Sequence, residues 1–141
     1  MVRAFRHWSV GHPVEFGLLF GNPVPGVAAY EEECQDPEHH GNRIGQVFLQ
    51  TFATLWRQSP FPTPPPELLS ERLAAHLEPY RQAHGPDLPI EVIYMYLSGW
   101  TRLYGMVAME VFGHARWALS DVEPLFDTEL AVFVRQLSPA G

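Results

Sequence analysis

Apolar residues recur at helical spacing along most of the chain, and no stretch sustains the apolar–polar alternation and turn signals of an all-β fold. The pattern predicts an all-α fold punctuated by Pro and Gly. A first helix is predicted from about Val2 to Val10. A second runs from Pro13 to Phe20, where Pro13 sits in a first turn that needs no N–H, with Gly11 and His12 forming the corner. Asn42 is a suitable N-cap for a third helix to about Gln58, on which Ile44, Phe48, Phe52 and Leu55 make a core stripe. The run SPFPTPPP, Ser59 to Pro66, stops it, because Pro cannot donate to a helix and restricts the residue before it. The next helix starts at Pro66 or Glu67 and lasts to about His84, ending at Gly85 and Pro86.

The segment from Pro89 to Arg116 reads as one long helix that is apolar on nearly every face. Ile93, Leu97, Trp100, Tyr104, Val107 and Val111 fall along one stripe, with Met95, Ser98, Gly99, Arg102, Met106, Met109 and Gly113 roughly opposite. A helix apolar on both sides must be covered on both, and in a chain this small another subunit is the expected second cover. The last helix is predicted from near Ser120, where Ser120 and Glu123 have capping-box spacing, to about Leu137. Val122, Phe126, Leu130, Phe133 and Leu137 form its main stripe, and Leu125 and Val132 a weaker one. Two adjacent helices with surplus apolar surface predict a four-helix homodimer interface carrying Met95, Gly99, Arg102, Met106, Met109, Gly113, Leu125 and Val132.

Between Gly21 and Gly41 lies a loop rich in Pro, Gly and acids, of a length that is uncommon without a function or mobility. The 141 residues fit a single domain, 1–141, and 46 % hydrophobic against 18 % charged residues is a globular composition. Sixteen acids against nine bases, all Arg, give a net charge of −7 without a basic cluster, which argues against direct nucleic-acid binding by this chain. Cys34 is the only cysteine, excluding an internal disulfide framework and fitting a reducing, cytoplasmic compartment. Neither a signal peptide nor an apolar run of membrane-spanning length is visible, so the chain reads as soluble with no membrane partner.

Catalytic constellations are sparse. No two of the seven histidines have the i, i+3 or i, i+4 spacing of helical metal ligands, and Glu110 with His114 is the one carboxylate–histidine pair at that spacing. A helix-surface or interface pair outweighs a metal site there. Ser98 lacks the strand–turn–helix context of a nucleophile elbow, and Cys34 follows Glu31, Glu32 and Glu33, whose charge disfavours a thiolate. No phosphate-binding glycine motif is present. Neither cofactor nor metal is expected, and the chain is not read as an enzyme. A small helical metal-dependent enzyme around Glu110 and His114 is kept as an alternative, as is a purely structural interaction module.

Aromatic residues are the chain's unusual resource. Trp8, Phe16, Phe20, Phe48, Phe52, Trp56, Tyr94, Trp100 and Tyr104 all fall on predicted helices, where each taken singly is core. Collectively, Trp8, Phe16, Phe20, Phe52, Trp56, Tyr94, Trp100 and Tyr104, with His12, can line an apolar ligand cavity in which Tyr104 and His12 offer polar tips.

Two blocks carry a family resemblance. AFRHWSVGHPVEFGLLFGNPVPG, Ala4 to Gly26, and GWTRLYGMVAMEVFGHARWALSDVEPLFDTELAVFVRQL, Gly99 to Leu137, resemble the TetR-type transcriptional repressors, in the branch whose regulatory domain is named for a Trp-His-Gly motif. The middle of the chain, Arg43 to Asp87, matches only in helical pattern. At the namesake position stand Trp100, Tyr104 and Gly105, with Tyr in place of histidine. The resemblance implies an effector-binding and dimerisation domain that senses a small apolar or aromatic ligand. In intact members an N-terminal helix-turn-helix module reads DNA, and its absence here implies either a fragment of a regulator or a free-standing sensor domain.

Overall fold

The computed structural model describes residues 1–21 and 40–138, the side chains of 40–42 excepted. Most of the expected 21–41 loop, with Glu31, Glu32, Glu33 and Cys34, therefore lies outside the described residues. Within them are six α-helices and no strand: α1 (Val2–Gly11), α2 (Pro13–Phe20), α3 (His40–Gln58), α4 (Glu71–His84), α5 (Ile90–Val111) and α6 (Glu123–Gln136). The all-α expectation holds, and no helix among the described residues is long and apolar enough to cross a membrane.

Helix ends are where the chain departs from the expected boundaries, and each departure has a local cause. A 3-10 turn takes up Pro66–Leu68, and α4 starts only after Ser70, whose hydroxyl accepts from the Leu73 N–H at 3.2 Å. Pro79 lies inside α4 and deprives the Ala75 carbonyl of its helical donor; both residues are exposed, so water can replace the lost bond. Helix α5 stops at Val111 rather than Arg116. Gly113 takes a left-handed φ of 69°, its N–H reaches the Glu110 carbonyl at 3.0 Å, and the His114 N–H reaches Met109 at 2.8 Å, the paired bonds of a Schellman closure. The capping box expected at Ser120 gives way to Asp121, whose Oδ1 accepts from the Glu123 N–H at 3.0 Å.

The chain divides into two compact units, one of Met1–Gly45 with Arg102–Phe126, the other of Gln46–Thr101 with Asp127–Gly141. In the second unit, Leu49, Phe52 and Ala53 of α3, Leu77 of α4, Leu88, and Val92, Ile93, Met95 and Tyr96 of α5 form one buried cluster. The α3 core face is turned from the expected stripe: Leu55 is exposed, while Leu49 and Ala53 are buried and Trp56 packs against the cluster. Spacings of three and four from Leu49 through Phe52, Ala53 and Trp56 describe that face better. Phe61, from the proline run expected only to break a helix, is buried against Phe52 at 4.9 Å and Trp56 at 5.0 Å between ring centroids.

Two consequences concern the expected interface residues. Met95 belongs to this cluster, and Gly99 lies so near Phe133 that a Cβ built on it would stand 2.6 Å from the ring's Cζ. At both positions the chain supplies its own cover. On α4, Arg81 forks Glu78 at 2.6 and 2.7 Å, and these hydrogen bonds hold the Glu78 carboxyl down at about 2.

Gly99→Ala is expected to lower the unfolding free energy by about 1–3 kcal/mol through overpacking. Gly105→Ala, where a Cβ meets no atom within 4 Å, should raise it by about 0.5–1 kcal/mol by removing a helical glycine. Urea denaturation of the two variants checks the contrast, and the reverse order would refute the packing. The Glu78–Arg81 contribution is present above the carboxyl's ordinary value of 4.5 and is lost as pH falls toward about 2. An NMR titration should place the Glu78 midpoint near that lower value, and Arg81→Ala should return it toward the ordinary one.

Candidate functional site

In the first unit, charge is gathered on one guanidinium. Glu110 stands in the last turn of α5, where the helix dipole disfavours a carboxylate, and Glu123 opens α6, where the dipole favours one. Arg6 of α1 meets both. Its Nε donates to Glu110 Oε2 at 2.8 Å, Nη2 to Glu110 Oε1 at 2.7 Å, and Nη1 to Glu123 Oε2 at 3.1 Å. The guanidinium also lies 5.1 Å from the centroid of the buried Phe126 ring. The Arg6 and Glu110 side chains are each 14 % exposed, Glu123 60 %. Hydrogen bonds donated to Glu110 hold the guanidinium above its ordinary value, against the opposing effect of burial. The cluster is a fixed ion pair and not a proton-transfer device, since Arg stays charged throughout the accessible pH range.

The same unit holds an aromatic group. Phe16, fully buried, lies 5.1 Å from Phe20, 6.2 Å from Tyr104, 5.7 Å from Phe112 and 6.3 Å from Phe5. Tyr104 donates its hydroxyl to the Phe20 carbonyl at 2.6 Å, supplying a donor to the C-terminal end of α2. On α1, Trp8 and the His12 ring stack at 5.5 Å, and His12 Nδ1 stands 2.9 Å from the Trp8 carbonyl, where it donates in the tautomer that leaves Nε2 an acceptor.

The nine expected ligand residues therefore fall into two sets. Phe16, Phe20 and Tyr104 touch one another, with the Trp8–His12 stack in the same unit. Phe52, Trp56, Tyr94 and Trp100 belong to the other unit, where Phe52 is core, Trp56 and Tyr94 pack on the core, and Trp100 meets Phe48 at 5.2 Å. There Tyr80 and Tyr96 share a hydrogen bond, and burial pushes both phenols up. Of the expected interface residues, Arg102, Met109, Leu125 and Val132 are exposed, Met106 is half-buried and Gly113 closes α5.

Sequence reasoning missed Arg6, Glu123, Phe5 and Phe112. Arg6 and Glu110 are separated by 104 positions, so no local spacing marks the pair. Phe112 was read as part of a longer helix. Glu110 and His114 do not form the expected helical pair, because Gly113 ends the helix between them and Arg6 takes the carboxylate. Among the described residues no three His, Cys, Asp or Glu side chains are grouped to hold a metal ion.

The family described as tetracyclin repressor-like, C-terminal domain, matches residues 1–133, and the chain belongs to it. It is similar to proteins named as HTH-type transcriptional regulators: Rv1816 and MT1864 of Mycobacterium tuberculosis and Mb1846 of Mycobacterium bovis, each 24 % identical over 139 residues. The match covers 98 % of this chain and 58 % of each relative, so the chain spans little more than half their length. No solved structure matches it. Family and relatives point to transcriptional regulation rather than to an enzyme.

Arg6→Ala should cost about 2–4 kcal/mol, because it strands the mostly buried Glu110 carboxylate. Glu123→Gln, at the exposed arm of the cluster, should cost under about 1 kcal/mol. Chemical denaturation separates them, and equal costs would contradict the assignment of the Glu110 fork as the dominant contact.

Proposed function

We propose that the chain is the effector-binding and dimerisation domain of a TetR-like transcriptional repressor and senses a small apolar or aromatic molecule. The observation that carries the reading is the family match over residues 1–133. Its support within the first unit is that Phe5, Phe16, Phe20, Tyr104 and Phe112 gather there, the class of side chain from which sites for small apolar ligands are built. The relatives are named HTH-type transcriptional regulators and are longer than this chain. Effector binding acts on such a regulator by favouring one of two dimer arrangements, to the extent that the ligand binds them unequally.

Dimerisation is read onto the surface that the subunit leaves open. Met95 and Gly99 are engaged within the subunit, whereas Met109 and Leu125 in the first unit and Val132 in the second are exposed, and the contact with a second copy is read onto these. Exposed Met, Leu and Val side chains on α5 and α6 are the apolar part of such a contact.

Thermal-shift screening of the chain against small aromatic compounds tests the ligand half. A ligand at a hundred times its Kd should stabilise by about 2.7 kcal/mol, and Phe16→Ala should abolish the shift in a variant that still melts cooperatively. No shift from any compound would leave the aromatics as core alone. For the dimer half, light scattering at micromolar concentration should give twice the chain mass, and Met109→Glu should give the monomer mass without loss of helical signal. A strictly monomeric wild type would refute the interface.

A further inference from the structure

The reversal between α5 and α6 presents Trp117, which at 86 % exposure is the most exposed large apolar side chain among the described residues. Tryptophan is ordinarily well buried. Here it has no ring or hydrogen-bond partner among the described residues. The backbone that carries it is nevertheless held: Gly113 and His114 close α5, Ala115 is buried, and its carbonyl accepts the N–H groups of Ala118 and Leu119, both at 3.0 Å. Arg116 next to it is exposed and forms no ion pair among the described residues. Asp121, also exposed, receives only the Glu123 backbone N–H. Met109 and Leu125, 44 % and 41 % exposed, flank the reversal in sequence.

We propose that residues 114–117 form a docking arm for a second copy of this chain, with Trp117 buried against Met109 and Leu125 of that copy and Arg116 paired with its Asp121. The inference rests on the dimer reading above and extends it from the helix faces to the reversal between them. Charge selects the occupant. An isologous contact places residue i against j and j against i. A stretch holding an Arg and an Asp five residues apart, neither in an ion pair among the described residues, is then self-complementary across a twofold axis. An unrelated acidic partner would satisfy Arg116 and leave Asp121 opposed. A buried tryptophan contributes roughly 150–250 Å², so the two rings supply about a quarter of a standard interface of roughly 1,600 Å², and the flanking apolar residues extend it.

Sedimentation equilibrium on the full chain tests the arm. Wild type is expected to dimerise, and Trp117→Ala and Arg116→Glu should each raise the dimer Kd by about tenfold or more with the helical signal of the folded chain unchanged. Arg116→Glu combined with Asp121→Arg should recover most of the loss, and failure to do so would overturn the Arg116–Asp121 pairing. A wild-type dimer that Trp117→Ala leaves within about twofold of its Kd would overturn the arm while the dimer reading stands. A wild type that stays monomeric at every concentration would end both.

Discussion

A carboxylate at the wrong end of a helix must be neutralised, and in this chain that requirement ties the first helix to the end of α5 and the start of α6. Glu110 sits where the α5 dipole opposes it and where little solvent reaches, so without Arg6 its charge would stand nearly alone. With Arg6 in place the acid is an asset: it accepts two hydrogen bonds from a planar fork, and the same guanidinium has a third donor for Glu123 and a face for Phe126. The position of α1 within its unit follows from that geometry. So does the seating of Phe5, one residue before Arg6, against Phe16 and Phe20. The ion cluster and the aromatic group are in this sense one assembly, with polar contacts fixing direction and rings filling volume.

How far this was legible from sequence depends on distance along the chain. Helices α1, α2 and α6 follow from short-range periodicity and proline placement, and the Val122, Phe126, Leu130, Phe133 and Leu137 stripe is buried or half-buried along its length. The family likeness was also readable, because its motifs are contiguous. Periodicity was less informative where apolar residues crowd every face. On α5 it could not say that Met95 and Gly99 would be covered by the chain itself, since that depends on where Phe133 of a distant helix comes to rest. On α3 it favoured a stripe through Leu55 when Leu49 and Ala53 served better.

The site shows the same division. Aromatic residues could be counted and assigned to helices, but their sorting into two groups is a property of tertiary contacts. The role of Tyr104 changed in kind: its hydroxyl, expected as a tip for a ligand, is given to the Phe20 carbonyl, so its first task is to complete the end of a helix. Arg6 was invisible as a functional residue because a single Arg on an amphipathic helix looks like ordinary surface, and only its partners, over a hundred positions away, make it otherwise.

The closure of α5 at Gly113 separates two kinds of information in the residues that follow. Backbone bonds from Gly113 and His114, and those received by Ala115, set the path of the chain without using the side chains of His114, Arg116 or Trp117. The His114 ring packs 5.9 Å from Phe112, but the fold places few demands on the identity of the exposed Arg116 and Trp117. Their chemistry is open to change by substitution at low cost in folding, so recognition at this corner can evolve on a different schedule from the architecture that supports it.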